Sequence, residues 1–276
     1  MNPILRPKYI LDETILEKNI SKGQILGDIY FFLPDFYLER LLELKEQGTI
    51  LSIHLLGLNI VGEELDERYL KEVDRLVQIL GPSLVSDHIC TIKEGADYIH
   101  DLSPVPYNIF TINKIKQRVA YLSNRWGVEF ICENPSLYIY PPKNRLFELD
   151  FLGELADTGV KLLFDVNNYI GNQKNCFQTS DDQIILDLKI FFKKYAQSIR
   201  EIHMIGPGDY IIDGIQLDCH RPNLSEVHSR ALELCKEQLF VADIYFEWEN
   251  APDFKTYWNE MINKDAPIPI RGDYAS

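Results

Sequence analysis

An α/β fold, a closed (β/α)8 TIM barrel with a metal site at the carboxyl-terminal mouth of its strands, is what this sequence predicts, from three observations. Seven short segments end, one after another, in a side chain that binds metals well: SIH at His54, SDH at His88, ICE at Glu133, LFD at Asp165, EIH at His203, LDCH with Asp218 and His220, and YFEWE with Glu247 and Glu249. Most close an apolar or β-branched run of strand length, and the gaps between them are about the size of one βα unit. The 276 residues, 46% of them hydrophobic, suit a single barrel, a fold that takes about 250 residues. A chain that sets a His or carboxylate at the end of strand after strand builds one site on one face of a parallel barrel. Four of the six histidines fall at these positions, which scatter would not readily produce.

Taken in order, two early strands near Lys8–Leu11 and Gln24–Phe31 are weak, because the segment between them is short for a barrel helix. The remaining strands are expected at Ile50–His54, Leu84–His88, Glu129–Glu133, Lys161–Asp165, Arg200–Met204 and Leu239–Glu247. Between them runs helical patterning. Leu65–Leu80 places Leu70, Val73, Leu76, Val77 and Leu80 on one stripe, which predicts a helix facing the sheet. Phe110–Leu122, Phe147–Leu155, Asp182–Ala196, Ser225–Glu237 and Phe254–Ile262 carry similar patterns, with a helix start at Ser225. Strands alternating with helices predict a parallel sheet. The aromatic stretch Ile29–Tyr37 reads as barrel core and helix packing. One domain is expected over residues 1–276, with a flexible tail from 264 to 276.

Composition removes several function classes. A net charge of −14 speaks against a surface for nucleic-acid phosphates. No run approaches the roughly 18 apolar residues a membrane span needs. The N-terminal residues lack a basic region followed by a long apolar core, so no signal peptide is expected. Five cysteines with no CxxC pair point to reduced thiols and a cytoplasmic protein.

Side chains alternate faces along a strand, so residues two apart point the same way. If His88 points into the barrel mouth, Asp87 points toward the helices and supports the site from behind. The same rule joins Asp218 to His220 and Glu247 to Glu249, of which Glu247 is better placed at the end of its apolar run. The inward set is then His54, His88, Glu133, Asp165, His203, Asp218, His220 and Glu247. Eight donors exceed what one zinc takes, about four, and predict two or three ions bridged by carboxylates. Mixed nitrogen and oxygen ligation suits Zn, Mn or Fe. Cys90, Cys132 and Cys219 lie beside these donors but read as small buried thiols rather than ligands. His100 and His228 read as surface residues of a polar loop and a helical segment. The Arg271-Gly272-Asp273 tripeptide reads as accidental.

The ordered string SIHLLGL, VSDHI, CENPSLY, LFDVNN, IHMIG, LDCH and FEWEN resembles the motifs of the multinuclear non-heme iron-dependent oxidases, which include the oxidase of methanobactin biosynthesis. The resemblance covers roughly Ile50 to Pro252. It implies a TIM barrel holding two or three irons, as mixed Fe(II) and Fe(III), with O2 as co-substrate. By motif, His54, His88, Glu133, Asp165, His203 and Glu247 would hold the central iron pair, with Glu133 a bridge. Asp218 and His220 would hold a third iron, and Asn168 would add a contact. Catalytic roles fall to Glu133, Asp165 and Asp87. Four features depart from the common pattern: Leu55 stands where many members have glycine, Pro207 where many have a second histidine, Glu249 where Asp is common, and the first strands lack the acidic Glu/Asn pattern expected near Asp28–Phe31.

The resemblance further implies a cysteine-containing, ribosomally made precursor peptide as substrate and a separate partner protein that binds its leader. Oxygen would bind a reduced iron while a neighbouring iron holds the substrate thiolate, and hydrogen would leave the carbon beside sulfur. Two other readings stand beside this one. The first is a zinc or manganese barrel enzyme of the sugar-isomerase or endonuclease type, whose His/Glu/Asp sets are similar. The second is a non-catalytic iron-binding subunit.

Overall fold

A computed structural model describes residues 2–5, 20–28, 34–95, 97–141, 145–207, 211–217, 224–239 and 241–247. The chain is a (β/α)8 barrel. Its strands are β1 (Asn2–Leu5), β2 (Lys22–Leu26), β3 (Ile50–His54), β4 (Leu84–His88), β7 (Glu129–Glu133), β8 (Lys161–Asp165), β9 (Ile199–Met204) and β12 (Asp243–Phe246). Their order around the barrel is that of the chain. Two hairpins lie outside the ring, β5 (Thr91–Glu94) with β6 (Asp97–Ser103), and β10 (Ile211–Ile212) with β11 (Ile215–Gln216).

Four of the expected strands, β3, β4, β7 and β8, have the expected bounds. The first described strand is Asn2–Leu5; the one expected at Lys8–Leu11 lies outside the described residues. The second ends at Leu26 rather than Phe31, and the last is trimmed to Asp243–Phe246 because Leu239 caps the helix Glu226–Gln238 and a turn at Val241–Ala242 precedes the strand. His100 belongs to β6, not to a loop, because the segment folds back on itself at Gly95, whose φ of 58° suits glycine. The expected helix Phe254–Ile262 and the tail with Arg271 to Asp273 lie outside the described residues, as does most of the aromatic stretch from Ile29.

The described chain falls into two compact units. The larger comprises residues 2–135 and 141–163. Its strands β2, β3, β4 and β7 are buried on both faces, as parallel strands between helices must be. Its helices are α1 (Pro34–Glu46), α2 (Glu67–Leu80), α3 (Ile109–Trp126) and α4 (Glu148–Asp157). The buried face of α2 is the expected stripe, Leu70, Val73, Leu76, Val77 and Leu80. That helix stops at Gly81, where a φ of 57° turns the backbone N–H back to the Val77 carbonyl.

The second unit holds residues 136–140 and the described residues from Phe164 onward. It contains β9, β12, α5 (Val166–Phe177), α6 (Asp181–Tyr195) and α7 (Glu226–Gln238). Phe164, Phe191 and Phe192 build its aromatic core, with Phe164 edge-on to Phe192 at 5.3 Å. His228 sits inside this unit rather than on the surface, 2% exposed. The helical stripe that carries Val227, Ala231 and Leu234 carries His228 inward with them.

Asp66 begins α2 and ties it to the β5–β6 hairpin. One carboxylate oxygen accepts the Arg68 and Tyr69 amides at 2.9 and 3.1 Å; the other accepts the Tyr98 hydroxyl at 2.6 Å and Lys93 Nζ at 3.1 Å. The Tyr98 hydrogen bond, followed by those from the backbone and Lys93, holds this carboxyl well below its ordinary value of 3.8. The depressed folded value makes its contribution present above the ordinary value and lost as pH falls below it. Asp66→Ala is expected to destabilise the fold by about 1 kcal/mol in denaturant titration at pH 7, and by less at pH 3. An equal effect at both pH values would show that the ionised carboxylate is not the stabilising form.

Candidate metal centre

Register decides which side chains share a face. Between β3 and β4 His54 lies beside Ser86, and between β4 and β7 His88 lies beside Glu133. Ser86 and His88 are two apart on one strand, so all four side chains point the same way. Asp87 and Cys132, also a cross-strand pair, take the opposite face.

In the larger unit His54 Nε2 stands 3.2 Å and His88 Nε2 3.4 Å from the same oxygen of Glu133, Oε2. The two imidazole centroids are 4.8 Å apart, tilted by 60°. His54 Nδ1 is 2.9 Å from Ser86 Oγ, and that hydroxyl donates to the Ile53 carbonyl at 3.4 Å. With its own proton directed at that carbonyl, the hydroxyl is an acceptor for a proton on Nδ1, the tautomer that turns the Nε2 lone pair toward Glu133. In that tautomer a lone pair facing a buried carboxylate at 3.2 Å is repulsive until a proton or a cation lies between them. The donor set therefore fits a metal ion.

Asp87 supports this arrangement from behind. Its Oδ1 accepts the His88 amide at 2.6 Å and its Oδ2 the Leu58 amide at 2.8 Å. Burial raises its pKa, opposed by its bonds to His88. Asp28, two residues past the end of β2, accepts the Leu56 amide at 2.9 Å and the Tyr69 hydroxyl at 2.8 Å. Burial pushes its pKa up to about 6. Two carboxylates thus hold the loop that leaves His54. Between their anchor points lies Gly57, where a Cβ would come within 2.5 Å of the Tyr69 ring, so the loop packs against that ring only with glycine there. Neither Asp28 nor Tyr69 carried a motif, whereas Ser86, two residues before His88, was open to discovery by strand alternation.

The second unit carries its own cluster. His203 Nδ1 lies 3.4 Å from Glu247 Oε2 and 3.8 Å from Asp165 Oδ2, and one donor from each residue lies within 4.8 Å of the others. Two donors on one ion stand up to about 4.4 Å apart, twice a bond of about 2.2 Å, so a small inward adjustment closes the set on a cation. Tyr245 pairs with His203 in register, and Glu247, two residues on, shares its face. Asp165 also caps α5, accepting the Asn168 amide at 2.6 Å, which sets a carboxylate at the electropositive end of that helix. Asn168 is buried beside it, and its side-chain oxygen accepts the Ser136 hydroxyl. Asp218, His220, Glu249 and Cys219 lie outside the described residues. Cys90 and Cys132 are buried, and burial raises the Cys132 thiol far above its ordinary pKa.

Strand-end imidazoles and carboxylates that could hold metal, set on a TIM barrel, define a class of barrel enzymes. The chain belongs to one family within it, the RiPP precursor modification enzymes MbnB/TglH/ChrH, which it matches over residues 11–266. It is similar to UPF0276 proteins. That of Anaeromyxobacter sp. is 27% identical over 217 residues, 76% of this chain and 73% of the relative. That of Chromobacterium violaceum is 31% identical over 172 residues, 62% of this chain and 59% of the relative. Among solved structures, 3-keto-D-glucoside 4-epimerase from E. coli aligns with a TM-score of 0.54 at 14% identity, covering 95% of this chain and 97% of that one. A xylose isomerase-like TIM barrel/4-hydroxyphenylpyruvate dioxygenase fusion protein aligns with a TM-score of 0.55 at 14% identity, covering 87% of this chain and 36% of that one. These two likenesses concern the fold.

Two predictions follow from the hydrogen bonding. Ser86→Ala removes the acceptor that orients His54, so affinity for a divalent metal, measured by competition with a chelator, is expected to fall about tenfold or more. Unchanged affinity would show that the ring is held by packing alone. The second concerns His228, whose Nδ1 meets Ser225 Oγ at 2.7 Å and whose Nε2 meets Asn167 Oδ1 at 3.1 Å. Burial pushes its pKa down to about 4 from 6.5. The unfolded chain then binds a proton the folded chain refuses, and stability falls as pH drops from 6.5 toward 4, by about 3 kcal/mol. Urea midpoints at pH 7 and 4.5 should diverge more for the native chain than for His228→Gln, and equal divergence would refute the assignment.

Proposed function

We propose that this protein is an iron- and O2-dependent oxidase that modifies cysteine in a ribosomally synthesised precursor peptide, through a site of two or three irons. The observation that supports this reading is the convergence of His54 and His88 on one oxygen of Glu133. Two histidines and one carboxylate with open positions are the donor set of non-heme Fe(II) oxygenases. Membership in a family of precursor-peptide modification enzymes supplies the substrate class. Asp165, His203 and Glu247 offer a second donor set, and Asp218, His220 and Asn168 are proposed for a third ion.

Bound iron would supply O2 activation and a seat for the substrate thiolate, whose pKa falls on coordination. The chain's own residues supply the geometry. Ser86 keeps the His54 lone pair on the donor side, and Glu133 faces both rings. Asp87 acts as a positioning residue, through the His88 and Leu58 amides. Asp165 is braced by the Asn168 amide and so keeps its second oxygen on the side of His203. Holding the reacting carbon at a fixed distance from the oxidant accounts for much of such a rate enhancement. A leader-binding partner protein and a cytoplasmic setting belong to the same proposal.

Protein expressed with ample iron and purified under low oxygen is expected to carry two or three irons per chain by elemental analysis. Glu133→Ala is expected to lose the coupled iron pair in Mössbauer spectra, and His203→Ala about one ion. A single zinc with no iron in the native chain would overturn the oxidase in favour of a hydrolase or isomerase.

A further inference from the structure

The second unit contains a cleft that the donor set does not use. Its walls are Ser136, Leu137 and Tyr138, one side of α5 from Asn167 to Asn175, Pro207, the Gln216–Leu217 end of the β10–β11 hairpin, and His228. Its cavity volume is about 20 Å³, room for about one water molecule. We propose that this cleft seats one small, uncharged residue of the precursor peptide that flanks the modified cysteine. The inference rests on the function proposed above and adds a subsite to it.

The cleft is joined to the donors. Ser136 donates its hydroxyl to Asn168 Oδ1, and the Asn168 amide donates to Asp165 Oδ1 at 2.6 Å. Along the chain, Asn167 lies two residues past Asp165, Pro207 four past His203, and Leu217 directly before Asp218. A ligand group held here is therefore against the segments that follow Asp165 and His203 in the chain.

The lining selects the chemistry. None of its described side chains is Asp, Glu, Lys or Arg, and burial keeps His228 neutral near pH 7. Among these described residues a phosphate or carboxylate finds no counter-charge, and a charged side chain would be desolvated without compensation from them. Leu137, Ile170 and Leu217 add aliphatic contact. A space that admits about one water cannot take a sugar ring, but it takes a side chain of one to three heavy atoms.

The walls are also set in advance. The Leu137 amide donates to Asn172 Oδ1 at 2.5 Å, and the Asn175 amide group makes paired bonds with the Gln216 backbone at 3.0 and 2.9 Å. Such a cleft loses little conformational freedom when filled. At one point it lacks a wall: a Cβ added at Gly171 would meet no atom within 4 Å. A larger residue there would grow into the cleft, and leucine favours a helix more than glycine does.

The test is a selection of messenger-RNA-displayed peptides, random at six positions on each side of a fixed cysteine, on the iron-loaded native protein, Gly171→Ala and Gly171→Leu. The native chain is expected to enrich Gly, Ala, Ser or Cys about fivefold or more at one fixed distance from the central cysteine. Gly171→Ala should narrow that preference to Gly, and Gly171→Leu should abolish it, with iron content and melting temperature kept in both. Identical profiles for the native chain and Gly171→Leu, enrichment of bulky or charged residues at every position, or no positional enrichment would each overturn the proposal. A parallel library with the fixed cysteine replaced by serine separates the two layers. Equal capture of that library would sink the cysteine reading, while a preference that depends on Gly171 within it would still support the cleft.

Discussion

The face-to-face placement of buried imidazoles and carboxylates at the ends of parallel strands is the constraint on which the rest of this structure depends. Glu133, Asp165 and Glu247 are nearly fully buried, and burying an ionised carboxylate is costly unless charge or hydrogen bonds compensate it. Each stands within 4 Å of a histidine nitrogen. Behind one ring stands a single hydroxyl, Ser86 Oγ, 2.9 Å from His54 Nδ1, so a residue with no metal-binding chemistry helps set how a donor presents itself. A cation among these donors satisfies both partners at once, which a purely apolar core would never require.

Around this constraint the chain arranges polar groups that hold loops rather than bind ligands. Asp28 and Asp87 fix the backbone after His54 through the Leu56 and Leu58 amides. Asn172 and Asn175 do the same for the segments at Leu137 and Gln216. Loops that carry or follow donors would otherwise be the least ordered parts of a barrel, and each such bond reduces the entropy that ligand binding must offset. The preorganised walls of the cleft beside Asn168 have the same origin.

Much of the barrel was legible because its signals are local. Four strands end at the residue where their apolar run meets a His or carboxylate, and the stripe from Leu70 to Leu80 is the buried face of its helix. The β10–β11 hairpin was legible too, through Asp213-Gly214 between paired isoleucines, both with positive φ, although it was not expected. His228 was misplaced because a histidine in a polar-looking helix carries no mark of burial until the neighbouring helix supplies Asn167 as its partner. The end of the second strand was missed because its apolar run continues past Leu26, where the chain already turns helical at Gly27 and Asp28.

By itself the sequence determined the alternation of strands and helices, the strand-end donor types and the face each donor takes, since all of these follow from periods of two and 3.6 residues along one chain. Only the tertiary structure decided which donors meet. That Ser86 turns His54, that both His54 and His88 converge on Glu133, that Asp28 pairs with Tyr69, and that Gly171 opens onto a cleft are consequences of register and helix packing. These bring together residues as far apart as His54 and Glu133, or Asn167 and His228, and no local period along a chain encodes such distances.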